Sequence, residues 1–210
     1  MYKANKNIVI IDYHIGNTGT IANMIKKIGF NCVVSNDIEI IKKANKIILP
    51  GVGSFDQAMS NLEELNLISI LNDLVLIKKV DILGICLGMQ IMLEGSEEGS
   101  YSGFGWIKGQ SKRIDFQKDD MQVSVPHMGW SEIYPKNERS LFLQVTEDPY
   151  FYFLHSYYVN CKEEKDIMST SFYENEFTSS IIKGNIYGVQ FHPERSHKSG
   201  MLLLKEFIER

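Results

Sequence analysis

The first half of the chain alternates short, wholly apolar runs with segments whose apolar residues recur every three or four positions. Apolar runs bounded by turn residues are typical of strands buried on both faces, and the wider spacing is typical of amphipathic helices. The strands are predicted at residues 8–12, 31–35, 46–49 and 81–85. The helices are predicted at residues 17–29, 38–43, 62–79 and from 87 onward. This alternation predicts a parallel sheet with helices on both faces.

The second half changes to short strands separated by turn residues, a pattern that indicates an antiparallel or mixed region. These strands are predicted at residues 123–130, 151–159, 178–184 and 186–191. A last helix is predicted at residues 199–208. Together the two halves predict a three-layer α/β fold. It has a mostly parallel central sheet, helices on both faces and an added antiparallel or mixed strand region, in a single domain of residues 1–210.

Composition excludes several classes of protein. The chain has 22 Lys and Arg against 26 Asp and Glu, so it lacks the basic balance of a nucleic-acid binder. Its three cysteines are odd in number and widely spaced, which argues against a disulfide framework or a structural zinc site. The apolar stretch near the amino terminus is too short for a signal peptide, and no window is long enough to span a membrane. We therefore expect a soluble cytoplasmic protein without a bound metal.

The segment GICLG, at residues 84–88, places a cysteine where a predicted strand turns into a predicted helix. It is the thiol counterpart of G-x-S-x-G, the nucleophile elbow. Gly84 and Gly88 leave room in the tight turn because they have no Cβ. The turn presents Cys86 at the carboxyl edge of the sheet and at a helix amino terminus, where the helix dipole favours a thiolate. Cys86 is the predicted nucleophile; a buried structural cysteine is the alternative.

A cysteine nucleophile needs a base, and the base needs an orienting group. Among five histidines, His192 follows the apolar strand at 186–191 and precedes Pro193 and Glu194. If that strand is a parallel neighbour of the strand before Cys86, His192 lies on the same edge of the sheet. Glu194 then reaches one ring nitrogen and leaves the other facing the sulfur, which gives a Cys-His-Glu triad. The alternative is a strand-end histidine satisfied by another neighbour.

An acyl-transfer site also needs hydrogen-bond donors for the oxyanion. The first predicted donor is the N–H of Leu87, directly after the nucleophile. The second is predicted in the loop at residues 50–53, where Gly51 and Gly53 permit a peptide flip and close approach to a ligand. An ordinary strand-to-helix turn is the alternative for this loop.

The motifs GICLGMQ, around Cys86, and GVQFHPE, around His192 and Glu194, together resemble those of the class I, triad-type glutamine amidotransferases. The resemblance implies that Cys86 attacks the side-chain amide of glutamine and that His192 gives a proton to the leaving ammonia. It implies an oxyanion site at the N–H of Leu87 and, after a peptide flip, at Gly51 and Val52. It implies no cofactor. The positions that match its glutamine-binding residues are Gly53, Gln90, Ser156 and Tyr157.

Further motifs resemble one subfamily, the amidotransferase (HisH) subunits of imidazole glycerol phosphate synthase. They are IIDYHIGN, LPGVGSFDQAM, SEEG, PHMGW, FLHSYYV and FHPERS. This resemblance implies a heterodimer with a (β/α)8-barrel cyclase subunit, HisF-like, to which ammonia passes. The cyclase product would be imidazole glycerol phosphate, released together with the purine precursor AICAR. The residues expected at that partner interface are Asn17, Trp130 and Arg195.

The chain departs from the subfamily pattern at positions that face the expected partner. His14 replaces a glycine, Ser131 an asparagine and Arg195 a lysine, while residues 18–20 replace Leu-x-Ser. These departures leave open a paralogue that supplies ammonia for sugar amidination in surface-polysaccharide synthesis. A non-enzymatic scaffold and another cysteine hydrolase, such as a peptidase, are further alternatives. The complete triad argues against the scaffold, and Gln90 favours glutamine as substrate.

Overall fold

A long mixed sheet forms the centre of the computed structural model, which describes residues 7–115, 117–118, 121–122, 124–136, 140–142 and 149–210. Its parallel part has the strand order β14-β4-β3-β1-β2. The register aligns Gly188 of β14 with Gly84 of β4, and Gly51 of β3 with Cys86 of β4. These strands are β1 Ile8–Ile11, β2 Cys32–Ser35, β3 Lys46–Gly51, β4 Asp81–Cys86 and β14 Ile186–Val189.

The remaining strands extend this sheet with mainly antiparallel pairings in the order β10-β9-β12-β13-β14, while β11 pairs with β13 and β6. The short strands β7 and β8 form a separate pair. Position 123, where one strand was predicted to begin, lies outside the described residues. The strands are β5 Gly95–Ser96, β6 Gly109–Arg113, β7 Gln117–Lys118, β8 Met121–Gln122, β9 His127–Pro135, β10 Tyr150–His155, β11 Tyr157–Cys161, β12 Ile167–Tyr173 and β13 Asn175–Lys183.

Helices cover both faces of the parallel strands. Val9 and Ile11 face a core cluster that includes Leu62 and Leu71, whereas Ile8 and Ile10 face another that includes Ile21 and Phe207. This strict alternation of core contacts confirms the predicted three layers. The helices are α1 Thr18–Lys27, α2 Ile38–Ile41, α3 Phe55–Glu64, α4 Leu67–Asn72 with a π-helical continuation at Asp73–Ile77, α5 Leu87–Gln90 and α6 His197–Glu209. Short 3₁₀ turns lie at Glu164–Asp166 and Pro193–Arg195.

The prediction that residues 62–79 are mostly helical is confirmed, but the helical region also begins before residue 62. Helix α3 begins seven residues earlier, at Phe55, because Ser54 caps it and the Phe55 amide donates to Glu98 Oε2 over 2.8 Å. The helical stretch breaks at Asn66, whose φ of 56° is left-handed.

The long helix predicted from residue 87 onward was wrong, because α5 ends at Gln90. The carbonyls of Ile91 and Leu93 accept instead from the amides of Phe104 and Gly105. These contacts tie the chain after α5 to the following loop, so tertiary hydrogen bonds replace further helical turns. Within the residues that the structure describes, no helix is long and apolar enough to cross a membrane.

Candidate active site

Cys86 occupies a sharp turn between β4 and α5 at the carboxyl edge of the parallel strands. Its φ of 55° and ψ of −111° are strained for a residue with a side chain. Gly84 and Gly88 allow the turn, since a Cβ on Gly84 would lie 2.6 Å from the Gly88 carbonyl oxygen. A Cβ on Gly88 would overlap the Leu49 carbonyl oxygen. The elbow geometry that the sequence predicted is therefore present.

His192 and Glu194 follow β14 and come together with Cys86. The register of β14 and β4 carries the chain after Val189 past the end of β4, which brings His192 close enough to Cys86 for the cysteine to influence the His192 pKa. His192 Nδ1 lies 2.9 Å from Glu194 Oε1, and both side chains are buried. The backbone N–H of His192 donates to the Tyr152 carbonyl over 2.8 Å, which fixes the segment against β10.

The triad is electrostatically coupled. Burial, the largest influence, lowers the pKa of His192, but hydrogen bonds and negative charge from Cys86 and Glu194 outweigh it and raise the pKa to about 10. Burial raises the pKa of Glu194, but contacts with His192 and Asn17 hold it below its usual range. The folded site therefore favours a protonated His192 ring beside the Glu194 carboxylate. This pairing keeps a proton available beside the sulfur.

The residues predicted for the oxyanion site surround Cys86. Leu87 is the first residue of α5, and Gly51 is the strand partner of Cys86 across β3 and β4. A Cβ on Gly51 would lie 2.7 Å from the Tyr13 hydroxyl and 2.9 Å from the Gly88 amide nitrogen, so only glycine fits there. Val52 follows with a partly exposed side chain.

The residues predicted to bind glutamine approach Cys86 from two sides. Gln90 is buried one turn after Cys86, and its Nε2 donates to the Tyr157 carbonyl over 2.8 Å. Ser156 and Tyr157 lie at the junction of β10 and β11 and are half-buried. Gly53 stands two residues after Gly51 with a φ of 111°, a conformation that favours glycine. The hydrogen bonds thus link Gln90 and Tyr157 to the nucleophile through Gln190.

Sequence reasoning missed Gln190, which is fully buried next to the nucleophile. Its Nε2 lies 3.6 Å from Cys86 Sγ, and its Oε1 accepts from Gln90 Nε2 over 3.1 Å. The available signal was its place in GVQFHPE, two positions before His192, because alternate residues of a strand share a face.

Sequence reasoning also missed a direct contact of Asn17 with the triad. Asn17 Nδ2 donates to Glu194 Oε1 over 3.0 Å. The other two residues expected at a partner interface lie elsewhere, at one exposed face. Trp130 is 47% exposed and stacks on His197, and the Arg195 guanidinium lies 5.7 Å from the centre of the Tyr152 ring. Within the described ranges, no group of three or more His, Cys, Asp or Glu side chains is placed to hold a metal ion.

A cysteine elbow on a parallel sheet, served by a histidine and a glutamate from the neighbouring strand, has the chemistry of triad amidotransferases. The family model named Glutamine amidotransferase class-I matches residues 9–210, and the chain belongs to that family. Within it, the chain is similar to subunits named HisH. "Imidazole glycerol phosphate synthase subunit HisH 2" of Methanococcus maripaludis is 52% identical over 97% of this chain and 99% of its own length. The HisH subunit of Leptospira borgpetersenii is 43% identical over 95% and 98%.

Solved structures carry the same fold at low sequence identity. A chain from the structure of PurLQS of Thermotoga maritima superposes with a TM-score of 0.74 at 15% identity, covering 98% of each chain. A structure described as a glutamine amidotransferase gives 0.70 at 13% identity, covering 96% of this chain and 97% of that one. These likenesses support the fold alone, and they agree with the three-layer architecture that the sequence predicted.

Proposed function

We propose that this chain is the glutamine amidotransferase subunit of an imidazole glycerol phosphate synthase. It hydrolyses glutamine to glutamate and ammonia and passes the ammonia to a (β/α)8-barrel cyclase subunit in histidine biosynthesis. The observation that carries the glutaminase activity is the buried His192–Glu194 pair, which follows β14 at the carboxyl edge of the sheet, beside the strained Cys86 turn at the end of the paired strand β4. The relatives named HisH, which span nearly the whole chain, support the histidine pathway.

The first half of the reaction forms a thioester. The Cys86 thiolate attacks the side-chain amide carbon of glutamine, and the carbonyl oxygen becomes an oxyanion. Protonated His192 then gives its proton to the amide nitrogen, the carbon–nitrogen bond breaks, and ammonia leaves. Glu194 holds the imidazole orientation and stabilises its positive charge. The product of this half is a γ-glutamyl thioester on Cys86.

The second half hydrolyses the thioester and restores the enzyme. Neutral His192 removes a proton from a water molecule, and the hydroxide attacks the thioester carbon. The carbon–sulfur bond then breaks, which releases glutamate and returns the thiolate beside an imidazolium ring. His192 gives one proton to ammonia and recovers one from water, and the new carboxyl group of glutamate loses its proton to solvent.

The oxyanion and the amino-acid end of glutamine are held by groups around the elbow. In this proposal the Leu87 N–H and, after a flip of the peptide between Gly51 and Val52, a second N–H stabilise the oxyanion. Adjacency of Gly51 to Cys86 across two paired strands supports this assignment. The amino-acid end is bound by Gly53, Gln90, Ser156 and Tyr157, and the hydrogen bond from Gln90 to the Tyr157 carbonyl supports this assignment.

The partner is proposed to dock on the outer face of β9 and β10, where Trp130 and Arg195 lie. Met128 is 65% exposed on this face and adjoins Leu154, whose carbonyl is near the Cys86 sulfur. Exposed aromatic and apolar side chains of this kind are typical anchors of an interface. In this proposal the chain acts in the cytoplasm as one domain of residues 1–210, in a heterodimer with a HisF-like cyclase.

The experiment measures glutamate release from glutamine by the purified chain, alone and with the histidine-pathway cyclase and its nucleotide substrate. We expect the cyclase and its ligand to raise the rate and imidazole glycerol phosphate to form. Cys86→Ala should abolish glutamate release. Cys32→Ala removes a half-buried thiol in β2, away from the elbow, and should leave the rate unchanged.

Three outcomes would reject parts of this proposal. If the Cys86-dependent rate did not change when this cyclase was added, the glutaminase assignment would stand but the histidine-pathway partner would be rejected. The sugar-amidination paralogue would then be favoured. Glutamate release that survives Cys86→Ala would remove the triad mechanism itself. A peptidase screen that found a Cys86-dependent substrate better than glutamine would replace the substrate class.

A further inference from the structure

A buried chain of hydrogen bonds runs from strand β9 to the glutamine pocket. Ser131 Oγ lies 3.0 Å from His127 Nε2, and His127 Nδ1 lies 3.1 Å from His155 Nε2. His155 Nδ1 lies 2.9 Å from the Tyr157 carbonyl oxygen. His127 and His155 are strand partners on β9 and β10, so the two rings meet inside the sheet packing.

With both rings neutral, only one order of protons satisfies this chain. The Tyr157 carbonyl can only accept, so His155 Nδ1 must carry a hydrogen. His155 Nε2 of a neutral ring then accepts from His127 Nδ1, and His127 Nε2 accepts from the Ser131 hydroxyl. A proton added to His155 would point two N–H groups at each other. The Tyr157 carbonyl therefore sets the tautomers of both rings, and His127 and Ser131 supply the hydrogen bonds that match them.

The surroundings hold the two rings neutral and in place. The His127 ring stacks on Tyr173 with centroids 4.0 Å apart and on Phe153 at 5.0 Å. Burial lowers the pKa of His127 to about 4. Burial and the neighbouring His127 lower the pKa of His155 to about 3. At neutral pH neither ring is charged, and the proton order given above is the one that two neutral rings allow.

The chain ends on an atom that the glutamine pocket uses. The Tyr157 carbonyl accepts from His155 and also from Gln90 Nε2. Two donors on one carbonyl fix the backbone at the junction of β10 and β11, where Ser156 and Tyr157 present their peptide groups. Gln90 in turn contacts Gln190, which donates to Cys86 Sγ. The far end, Ser131, lies on β9 beside exposed Trp130.

We propose that Ser131 and His127 are positioning residues for glutamine binding: through its Nε2 they hold the His155 ring in the orientation in which Nδ1–H reaches the Tyr157 carbonyl, so that the shape of the glutamine pocket depends on strand β9. This inference rests on the proposed glutaminase function and extends it. A partner that docks on β9 would therefore contact the strand that carries His127 and Ser131, the residues that hold His155. Neither residue touches the reacting atoms, so substitutions of Ser131 or His127 should change the affinity for glutamine more than kcat.

The test compares the KM for glutamine, its kcat, and the Kd for glutamine measured by calorimetry in a Cys86→Ala background. His127→Phe keeps a stacking ring and removes both nitrogens, and we expect it to raise KM and Kd about 10-fold with little change in kcat. Ser131→Ala should raise them about 3-fold, and Ser131→Thr, which retains the hydroxyl, should restore them. Thermal unfolding of each variant shows whether it folds.

A matched control deletes another buried hydroxyl. Ser171 lies on β12 next to β9, and its Oγ has no hydrogen-bond partner within the described part of the chain. Ser171→Ala should leave KM and Kd unchanged. Unchanged values in folded Ser131→Ala and His127→Phe would overturn the inference while leaving the glutaminase intact. Absence of glutamine binding and hydrolysis in the unaltered chain would overturn the proposed function, and the inference with it.

Discussion

At the scale of single residues, the site depends on a few buried charges whose neighbours decide their protonation. Glu194 is shared, because its Oε1 accepts from His192 and from Asn17. Its negative charge helps to hold the pKa of His192 at about 10, against a burial effect that alone would lower it. The basicity of His192 therefore depends on the Glu194 carboxylate as well as on the imidazole ring.

Glu194→Gln should lower kcat for glutamine hydrolysis by about 10²-fold, the scale of a lost general acid–base contribution. The amide keeps the shape of the side chain but removes the charge that stabilises imidazolium, so the pKa of His192 should fall. Steady-state rates across pH measure both effects. The control is Glu39→Gln, which removes an exposed carboxylate paired with Lys42. A Glu194→Gln rate equal to that of the unaltered chain would contradict the triad.

The two buried histidines predict a loss of stability in mild acid. Folding lowers the pKa of His127 to about 4 and of His155 to about 3, below the ordinary value near 6.5. The unfolded chain therefore binds more protons than the folded chain between about pH 4 and 6.5. The stability that these groups contribute is complete above pH 6.5 and is lost as the pH falls through that window.

Denaturant unfolding at pH 7, 5.5 and 4.5 measures this dependence, and His127→Phe isolates it from acidic groups that titrate nearby. The groups facing the pair are the two rings themselves, Tyr173 on β12, Phe177 on β13 and the charged His192. The variant should show a shallower loss of stability than the unaltered chain. Equal slopes would mean that the buried rings do not titrate as described.

At the scale of helices and strands, sequence patterns located the parallel strands because these are continuous apolar runs between turns. Strands β1, β3 and β4 lie where the runs predicted them, within two residues. The start of helix α3 was not predicted because its first turn is capped by Ser54 and by Glu98, and Glu98 is distant in sequence. Helix α5 was overestimated because the loop carrying Phe104 binds the carbonyls that a longer helix would use. Tertiary contacts of this kind leave no periodic signal.

The candidate site likewise combines residues that sequence motifs could indicate with contacts that they could not. Cys86, His192 and Glu194 could be found from the sequence because local motifs place them at the ends of buried strands. The Gln190 contact and the chain from Ser131 to Tyr157 could not, because they join residues from strands that are far apart along the sequence. Only the strand order β10-β9-β12-β13-β14-β4 brings these groups together.

The tight turn between β4 and α5 predicts that Gly88 cannot be replaced by a residue with a Cβ without loss of stability. Gly88→Ala should destabilise the fold by about 3 kcal/mol or more, because its Cβ would overlap the Leu49 carbonyl oxygen on the neighbouring strand. Gly19→Ala is the control, since Gly19 lies in α1 with open space around a Cβ, and it should stabilise the helix by about 0.5–1 kcal/mol. Urea unfolding measures both. A Gly88→Ala variant as stable as the unaltered chain would contradict the packing described here.

At the scale of the whole molecule, the carboxyl edge of the sheet and the outer face of β9 and β10 form neighbouring surfaces. Cys86 lies at the first, and its sulfur is 3.8 Å from the Leu154 carbonyl oxygen on β10. Trp130, Tyr152 and Arg195 lie at the second and contact one another in series. Ammonia released at Cys86 would therefore emerge close to the surface that we assign to the cyclase.

Trp130→Ala should weaken binding of the cyclase by about 10-fold or more, as expected for a central aromatic anchor, without loss of folding. Ile77→Ala is the control because Ile77 is 74% exposed at the end of the helical stretch Asp73–Ile77, which precedes β4. Titration of labelled cyclase gives both dissociation constants. If Ile77→Ala weakened binding and Trp130→Ala did not, the docking face would have to be moved.

The measurement that tests the central claim most directly follows the amide nitrogen of glutamine. Glutamine labelled with ¹⁵N at the side-chain amide is given to the complex of this chain with the cyclase, in buffer containing unlabelled ammonium. Mass spectrometry of the cyclase product should show ¹⁵N incorporated, and Cys86→Ala should remove it. Product carrying only unlabelled nitrogen, or ¹⁵N incorporation that survives Cys86→Ala, would contradict the account.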